Sequence, residues 1–180
     1  PVAPARPLIG IVSRFAYQKG FDLLAPVVEQ LMAELMAEPP MGGNKAPDFA
    51  LVALGSGEEA IEQSFRDMAR AYPRHFAVQF GYDHALAHRI FAGSSLFLMP
   101  SRYEPCGLGQ IYALRYGTVP IVRATGGLDD TVDQTIGFKF HEHTPEAFLG
   151  SVRAAFDAWK DQKRLRQLML RGMRKDFSWD

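Results

Sequence analysis

The sequence has a single cysteine, Cys106, among its 180 residues. One cysteine excludes an intramolecular disulfide and a metal site built from several thiolates, which fits a reducing compartment. Neither sign of charge is in excess, because 20 Lys and Arg residues balance 20 Asp and Glu residues. No overall field therefore favours nucleic acid. Apolar runs also fall short of the ~18 residues that a membrane-spanning helix requires, so we predict no membrane partner.

Several ligand-binding motifs are absent as well. The first predicted strand is not followed by the Gly-x-Gly-x-x-Gly turn of dinucleotide-binding domains, and no Walker lysine or His-Glu-x-x-His zinc motif occurs. Among the scattered histidines, His84 and His88 stand four positions apart, so that on a helix they could share a metal. Because no third ligand is indicated nearby, we favour an exposed polar face for this pair and predict no metal site.

The sequence does contain short β-branched or apolar runs that alternate with segments of helical spacing. This pattern is typical of α/β proteins with a parallel sheet covered by helices on both faces. The predicted strands cover residues 8–12, 49–54, 76–80, 96–99, 119–122 and 137–140. The predicted helices cover residues 24–35, 61–72, 85–92, 108–116, 145–159 and 163–174, with a surface loop at 39–44. We therefore expect residues 1–180 to form a single Rossmann-like domain of about six strands.

In such sheets, ligands bind at the carboxyl ends of the strands, where loops lead into helix N-termini. The loop after the first strand contains Arg14 and Lys19, and two cations beside a helix N-terminus suit a diphosphate. From these residues alone, solvated loop charges are an equally good interpretation. The next loop, residues 55–58, has two glycines but lacks the third of the dinucleotide motif, so its signal is weak.

The most informative segment follows the fourth predicted strand. It reads Glu-Pro-Cys-Gly-Leu from Glu104, Tyr-Ala-Leu-Arg-Tyr-Gly-Thr-Val-Pro from Tyr112, and Thr-Gly-Gly-Leu from Thr125. This pattern resembles the signature of bacterial glycogen synthases and plant starch synthases, which are ADP-glucose-dependent glucosyltransferases of the GT-B fold. The resemblance extends over nearly the whole chain, from about Gly10 to Trp179.

Two positions separate the synthases from the broader GT-B group. Eight positions after the residue that matches Glu104, that group usually has a second Glu, and two positions after it a Phe. This chain has Tyr112 and Cys106 at these positions, as the synthases do. The chain departs from the synthase pattern at Gly109, where Thr or Asn is common. It also departs at residues 133–136, where the family's loop is longer; this is a deletion or a segment missing from the chain.

The resemblance implies roles for individual residues. Arg14 and Lys19 match the pair that grips the donor diphosphate and stabilises it as the leaving group, and Glu104 matches the carboxylate that contacts the donor sugar; these three are the predicted catalytic residues. Tyr82 matches the aromatic residue beside the adenine. The other predicted donor-binding residues are Gly81, Cys106, Gly107, Leu108, Gly109, Gln110, Thr125, Gly126 and Gly127.

Some of these residues have a purely structural alternative. Glu104 could pair with Arg102, and Tyr82 could pack on the sheet. For Cys106 we favour a small buried hydrophobe over a reactive thiolate, because no neighbour in the sequence clearly lowers its pKa.

By the same resemblance, the chain is the C-terminal, donor-binding half of a retaining glucosyltransferase that extends an α-1,4-glucan. The implied partners are ADP-glucose, the glucan acceptor and an N-terminal domain absent from this chain, with no metal and no cofactor besides the donor. We expect the chain alone to bind the donor weakly and transfer nothing. The expected location is the bacterial cytoplasm, or a plastid for a plant starch synthase. Two alternatives are a related GT-B enzyme that uses a UDP- or GDP-sugar, and a non-catalytic nucleotide-sugar-binding module.

Overall fold

A six-stranded sheet forms the centre of the molecule, and every pairing between its strands is parallel. The structure, a computed structural model, describes residues 5–37 and 46–178. The strands are β1 (Leu8–Val12), β2 (Ala50–Gly55), β3 (Phe76–Phe80), β4 (Leu96–Met99), β5 (Val119–Arg123) and β6 (Phe138–Phe140). Their order is β3-β2-β1-β4-β5-β6. The six predicted strands are therefore confirmed, each to within one residue at either end.

Helices connect the strands. They are α1 (Leu24–Met36), α2 (Glu59–Ala71), α3 (His84–Gly93), α4 (Gly109–Arg115), α5 (Gly127–Thr131), α6 (Pro145–Lys160) and α7 (Gln162–Arg174). All but α5 were predicted, to within two residues; α5 is too short to show a helical period. The predicted loop at 39–44 and Trp179 lie outside the described residues. No helix in the described ranges is long and apolar enough to cross a membrane.

Local signals in the sequence set where two of these helices begin. The Asp83 side chain accepts a hydrogen bond from the Leu86 N–H at 2.8 Å at the start of α3. The Thr144 hydroxyl accepts one from the Ala147 N–H at 3.2 Å at the start of α6, where Pro145 occupies the first turn. Each cap satisfies an N–H group that has no partner inside the helix.

Alternating side chains along the strands divide the core between the two faces of the sheet. In β4, Leu96 and Leu98 belong to the larger apolar cluster, which includes side chains of α1 and α6. Phe97, between them, packs in a second cluster with Ile90 and Phe91 of α3. Since successive side chains of a strand point to opposite faces, helices cover both faces. The Rossmann-like arrangement expected from the sequence is confirmed.

The parallel pairing brings the carboxyl ends of all six strands to the same side of the sheet, here called the carboxyl edge. The loops that leave β1, β2, β3, β4 and β5 begin at this edge and lead into the next helical segment. The predicted functional residues all lie in these loops or in the first turn of the helix that follows.

Candidate functional site

The loop that follows β1, residues 13–20 and here called the cation loop, is anchored in the core by Phe15. Its side chain is fully buried and meets Phe65 edge to face, with ring centroids 4.6 Å apart. Its backbone N–H donates to the Ser56 carbonyl at 2.9 Å, and its carbonyl accepts from the Glu58 N–H at 2.7 Å. The loop is thereby fixed to the loop after β2. Arg14, next to this anchor, is exposed.

The two cations of this loop differ in their surroundings. Within residues 5–37 and 46–178, the Arg14 guanidinium makes no ion pair or hydrogen bond. The Lys19 Nζ donates to the Glu104 Oε2 in a short, charge-assisted hydrogen bond, and these side chains are 16% and 9% exposed. Desolvation strengthens the attraction between such charges. The structure thus brings together two of the three predicted catalytic residues from positions far apart in the sequence.

The loop that follows β4, residues 100–108 and here called the Glu104 loop, is joined to the cation loop through its backbone. The Arg102 N–H donates to the Gln18 carbonyl at 2.9 Å, and the Gln18 Nε2 donates to the Tyr103 carbonyl at 2.9 Å. The Arg123 Nη1 donates to the Arg102 carbonyl at 2.7 Å. These contacts fix the two loops relative to each other, so Lys19 and Glu104 are held from both sides.

Arg102 does not pair with Glu104, so the alternative interpretation of Glu104 is wrong. The Arg102 Nη2 donates to the Asp22 carboxylate at 2.5 Å, and its guanidinium lies over the Tyr17 ring, 4.0 Å from the centroid. The contacts of Arg102, Gln18 and Arg123 were not predicted. Arg102 and Glu104 are close in the sequence, and nothing in the sequence shows that their side chains have different partners.

Two glycines of the turn after β5 press against the Glu104 loop. A Cβ on Gly126 would lie 2.3 Å from the Glu104 carbonyl oxygen, and one on Gly127 would lie 2.1 Å from that of Cys106. Gly126 also has a φ of 48°, which disfavours other residues. The Gly127 N–H donates to the Glu104 carbonyl at 2.9 Å. Thr125, Gly126 and Gly127 therefore lie beside the Glu104 loop, as a turn closing the donor site would.

Gln110 lies beneath the Glu104 loop. Its side chain is fully buried, and its Nε2 donates to the carbonyls of Cys106 at 3.1 Å and Gly107 at 3.0 Å. Cys106 itself is exposed, so its interpretation as a buried hydrophobe is wrong. The backbone of this turn faces Gly127 and Gln110, which leaves the thiol on the outer side. Leu108 is exposed as well.

Tyr82 stands at the carboxyl edge beyond β3. Its side chain is 84% exposed, so the alternative in which it packs on the sheet is wrong. Gly81 precedes it with a φ of 101°, and no atom lies within 4 Å of the position that a Cβ would take. The glycine is needed here for its backbone conformation, which presents the Tyr82 ring to solvent.

Two hollows share Tyr82 as a lining residue. The first has a volume of about 270 Å³ and is lined by Val12, Ser13, Arg14, Leu54, Gly55, Ser56, Gly81 and Tyr82. The second has a volume of about 480 Å³ and is lined by Val12, Tyr82, His84, Ala87, His88, Phe91, Gly109 and Tyr112. Arg14, Gly81, Tyr82 and Gly109 thus surround these hollows, while Lys19, Glu104 and the glycine turn form a separate contact cluster. The cation loop contributes to both groups.

The two departures from the synthase pattern have definite places in the structure. At Gly109, a Cβ would lie 3.3 Å from the Met99 Sδ, so a larger side chain would require Met99 to shift. Residues 132–137 form a tight turn in which the Gly137 N–H donates to the Asp133 carbonyl at 3.0 Å. The Lys175 Nζ pairs with the Asp133 carboxylate at 2.9 Å and links this turn to the segment after α7.

His143 lies behind the cation loop and is mostly buried. Burial lowers the pKa of its imidazole below 6.5, and the nearby Arg102 lowers it further, while Asp22 opposes these effects. The uncharged ring is therefore favoured next to the Arg102–Asp22 pair. In the part of the chain that the structure describes, no group of three or more His, Cys, Asp or Glu side chains could hold a metal ion.

Comparison with known proteins gives a consistent match. Residues 2–168 match the family model for group 1 glycosyl transferases. The chain is 51% identical over 181 residues to a glycogen synthase from Koribacter versatilis, covering 97% of this chain and 35% of that protein. It is 48% identical over 186 residues to a glycogen synthase from Anaeromyxobacter dehalogenans, covering 100% and 36%. The chain thus spans about a third of the length of these relatives.

Solved structures show the same fold. The catalytic domain of starch synthase IV from Arabidopsis thaliana, bound to ADP and acarbose, superposes with a TM-score of 0.79 at 34% identity, covering 99% of this chain and 36% of that one. Sucrose-phosphate synthase from Thermosynechococcus elongatus superposes with a TM-score of 0.71 at 23% identity, covering 94% and 40%. At that lower identity the likeness concerns the fold alone.

Proposed function

The chain belongs to the group 1 glycosyltransferases, and from that premise we propose that it binds the nucleotide-sugar donor of a glucosyltransferase that elongates an α-1,4-glucan. The observation that carries the proposal is the contact between the cation loop and the Glu104 loop. It holds a cation and a carboxylate together at the carboxyl edge, and the cation loop also contains the exposed Arg14. Roughly 50% identity to glycogen synthases supports a glucan product.

The proposed chemistry follows from the charges of these residues. Breaking the bond between glucose and the diphosphate develops negative charge on the departing ADP. Fixed cations such as Arg14 and Lys19 stabilise that charge without having to reorganise during the reaction. The diphosphate draws Lys19 into contact from a position already next to Glu104, and the carboxylate is then available to the hydroxyls of the donor sugar. Gly126, Gly127 and Gln110 keep the Glu104 loop in place.

For the nucleoside, we propose that the adenine lies against Tyr82 in one of the two hollows that this residue lines. The exposed ring offers an aromatic face at a small entropic penalty, and such stacking is favourable for a base. Val12, at the end of β1, contributes to both hollows and adds apolar surface. The solved starch synthase IV domain contains ADP, which supports an adenine nucleotide as the ligand.

We further propose that the acceptor glucan and part of the catalytic machinery belong to a portion of the synthase that this chain lacks. The matched glycogen synthases are about three times as long as the match. The chain by itself should therefore bind the donor and transfer nothing.

Calorimetric titration of the 180-residue chain with ADP, UDP and GDP tests the donor proposal. We expect ADP to bind most tightly, and Tyr82→Ala to weaken ADP while leaving the thermal unfolding midpoint unchanged, because the side chain is exposed. Tyr103→Ala is a matched control, since this tyrosine is also exposed but lines neither hollow. A preference for UDP or GDP would instead assign the chain to a related enzyme with another donor.

A radiometric assay tests the second proposal. The chain is incubated with ADP-[14C]glucose and glycogen, with a full-length glycogen synthase as the positive control. We expect no label in the glucan from the chain alone. Incorporation above background would show that the chain needs no further portion for transfer.

A further inference from the structure

Two histidines face each other on the wall of the larger hollow. His84 and His88 lie one turn apart on α3, and their Nε2 atoms are 3.2 Å apart. Their ring centroids are 4.4 Å apart, and the rings are inclined at 61°. His84 is exposed and His88 is partly exposed, so both are accessible from the hollow. The i, i+4 spacing alone had not shown where the ring nitrogens point.

The distance between these nitrogens matches that between two nitrogens bound to the same metal ion. With metal–nitrogen bonds of about 2.0–2.1 Å, two nitrogens 3.2 Å apart subtend an angle of about 100° at the metal. This value lies between a right angle and the tetrahedral angle. The exposed His84 ring has solvent around it, so it has room to rotate and turn its lone pair towards an ion bound at the His88 Nε2.

The surroundings of His88 are compatible with the protonation state that a metal needs. Binding through Nε2 requires the ring proton on Nδ1, and the Tyr116 hydroxyl oxygen lies 2.8 Å from Nδ1, within reach to accept that proton. Metal-ligating histidines commonly have such an oxygen partner, which fixes the ring and its tautomer. Tyr116 is held in turn against Phe91, with stacked rings 6.4 Å apart.

We propose that His84 and His88 form a two-histidine site for a divalent transition-metal ion of the Ni²⁺, Cu²⁺ and Zn²⁺ class. Imidazole nitrogens suit these ions, whereas Mg²⁺ and Ca²⁺ prefer oxygen ligands. The nearby Asp83 carboxylate caps α3 through the Leu86 N–H and stays outside the site. Water, or a ligand in the hollow, completes the coordination.

The proposal is tested by titrating the 180-residue chain with Cys106→Ser, purified without a histidine tag, with CuCl₂ in the absence of nucleotide, because the exposed thiol would itself bind and reduce Cu²⁺. Calorimetry should give one ion per chain, and the electron paramagnetic resonance spectrum of bound Cu²⁺ should show nitrogen hyperfine coupling. Cu²⁺ should bind more tightly than Zn²⁺, as the usual order of stabilities requires, and Mg²⁺ should not bind. Since nucleotide is absent, the result does not depend on the donor proposal.

Three variants locate the site. His84→Gln and His88→Gln should each weaken Cu²⁺ binding at least about tenfold, because each removes a ligand. Tyr116→Phe should weaken it by about tenfold as well, since it removes the partner of Nδ1 without removing a ligand. His141→Gln removes an exposed histidine elsewhere and should leave the affinity unchanged.

Circular dichroism checks that each variant is folded. We expect His84→Gln to fold normally because His84 is exposed. The proposal is wrong if the chain binds no Cu²⁺ at millimolar concentration. It is also wrong if the double variant of His84 and His88 binds Cu²⁺ as tightly as the unaltered chain.

Discussion

Arg14 and Lys19 lie in the same loop, but their side chains have different surroundings. Arg14 is exposed and, within the described ranges, has no charged partner, whereas Lys19 pairs with Glu104, a residue that is 7% exposed. A solvated charge can be removed without disturbing the fold. Removal of Lys19 leaves a carboxylate unpaired in a mostly buried position, which is unfavourable. Substitution of Arg14 should therefore affect ligand binding alone, whereas substitution of Lys19 should affect both ligand binding and the free energy of unfolding.

We predict that Arg14→Ala weakens ADP binding about 10- to 100-fold, because a hydrogen bond between charged groups contributes about 1.5–3 kcal/mol. The free energy of unfolding should not change. Lys19→Ala should weaken ADP binding to a similar extent and also lower the free energy of unfolding by about 1–3 kcal/mol. Calorimetry and urea denaturation measure the two effects.

Arg153→Ala serves as the control for these variants. Arg153 pairs with Glu34 on the surface, away from the carboxyl edge, and its side chain is about half exposed. Its loss should change the free energy of unfolding by less than about 1 kcal/mol and leave ADP binding intact. Equal losses in the free energy of unfolding of Arg14→Ala and Lys19→Ala would show that the Lys19–Glu104 pair does not stabilise the fold.

His143 provides a prediction about pH. Its pKa is lowered below 6.5, chiefly by burial. Below pH 6.5 the unfolded chain therefore binds more protons than the folded chain, and the free energy of unfolding falls as the pH drops towards the lowered pKa. Urea denaturation above and below pH 6.5 should show this decline, and His143→Gln should flatten it. His141→Gln, which alters an exposed histidine, should retain it; a decline that persists in His143→Gln would assign it to another group.

At this scale, the sequence indicated candidate residues but not how they meet. The motif around Glu104 and the cations after β1 were recognisable as patterns. The Lys19–Glu104 contact joins loops that are distant in the chain, and no local spacing encodes such a contact. Cys106 was misjudged because burial in a turn depends on which side the backbone turns towards its neighbours. The pairing of Arg102 with Asp22 was missed because it also joins positions that are distant in the chain.

Among the elements, strands and long helices were predictable because their apolar residues follow a period of two or of 3.6. The helix α5 has only five residues and begins at Gly127, so neither its length nor its composition indicates a helix. The turn before it was predicted to bind the donor, but its contact with the Glu104 loop was not predicted. Glycines in a turn indicate a special backbone, whereas the close approach of that turn to the Glu104 loop is a tertiary property.

Gly127→Ala tests this approach. The added methyl would lie 2.1 Å from the Cys106 carbonyl oxygen, so the Glu104 loop must move. We predict a loss of about 1–3 kcal/mol in the free energy of unfolding, as for other overpacked positions, together with weaker ADP binding. Urea denaturation and calorimetry measure both.

Gly150→Ala is the matched control for Gly127→Ala. Gly150 lies within α6, with no atom within 4 Å of the position of an added Cβ. Alanine there should raise the free energy of unfolding by about 0.5–1 kcal/mol, because it favours the helix, and ADP binding should not change. The proposed contact would be refuted by a Gly127→Ala protein that binds ADP normally and is as stable as the unaltered chain.

Across the whole molecule, the order of the strands ranks the local stability of the sheet. β1 and β4 are the two central strands and include the fully buried Ile11, Leu96 and Phe97, whereas β3 and β6 lie at the edges. Native-state hydrogen exchange followed by NMR should therefore show the slowest amides in β1 and β4 and faster exchange in β3 and β6. Amides of β3 that exchange as slowly as those of β1 would contradict this ranking.

The central position of β1 also affects how the protein is made. Ile9 and Gly10 pair with Leu96 and Phe97, so β1, the first strand of this sheet to be synthesised, acquires its second neighbour only when β4 has emerged from the ribosome. At roughly 5–20 residues per second, this interval lasts several seconds, during which one edge of β1 has no strand beside it. Entirely parallel pairing offers no hairpin to shorten the wait. During translation, we therefore expect one edge of β1 to lack its partner strand until β4 is available.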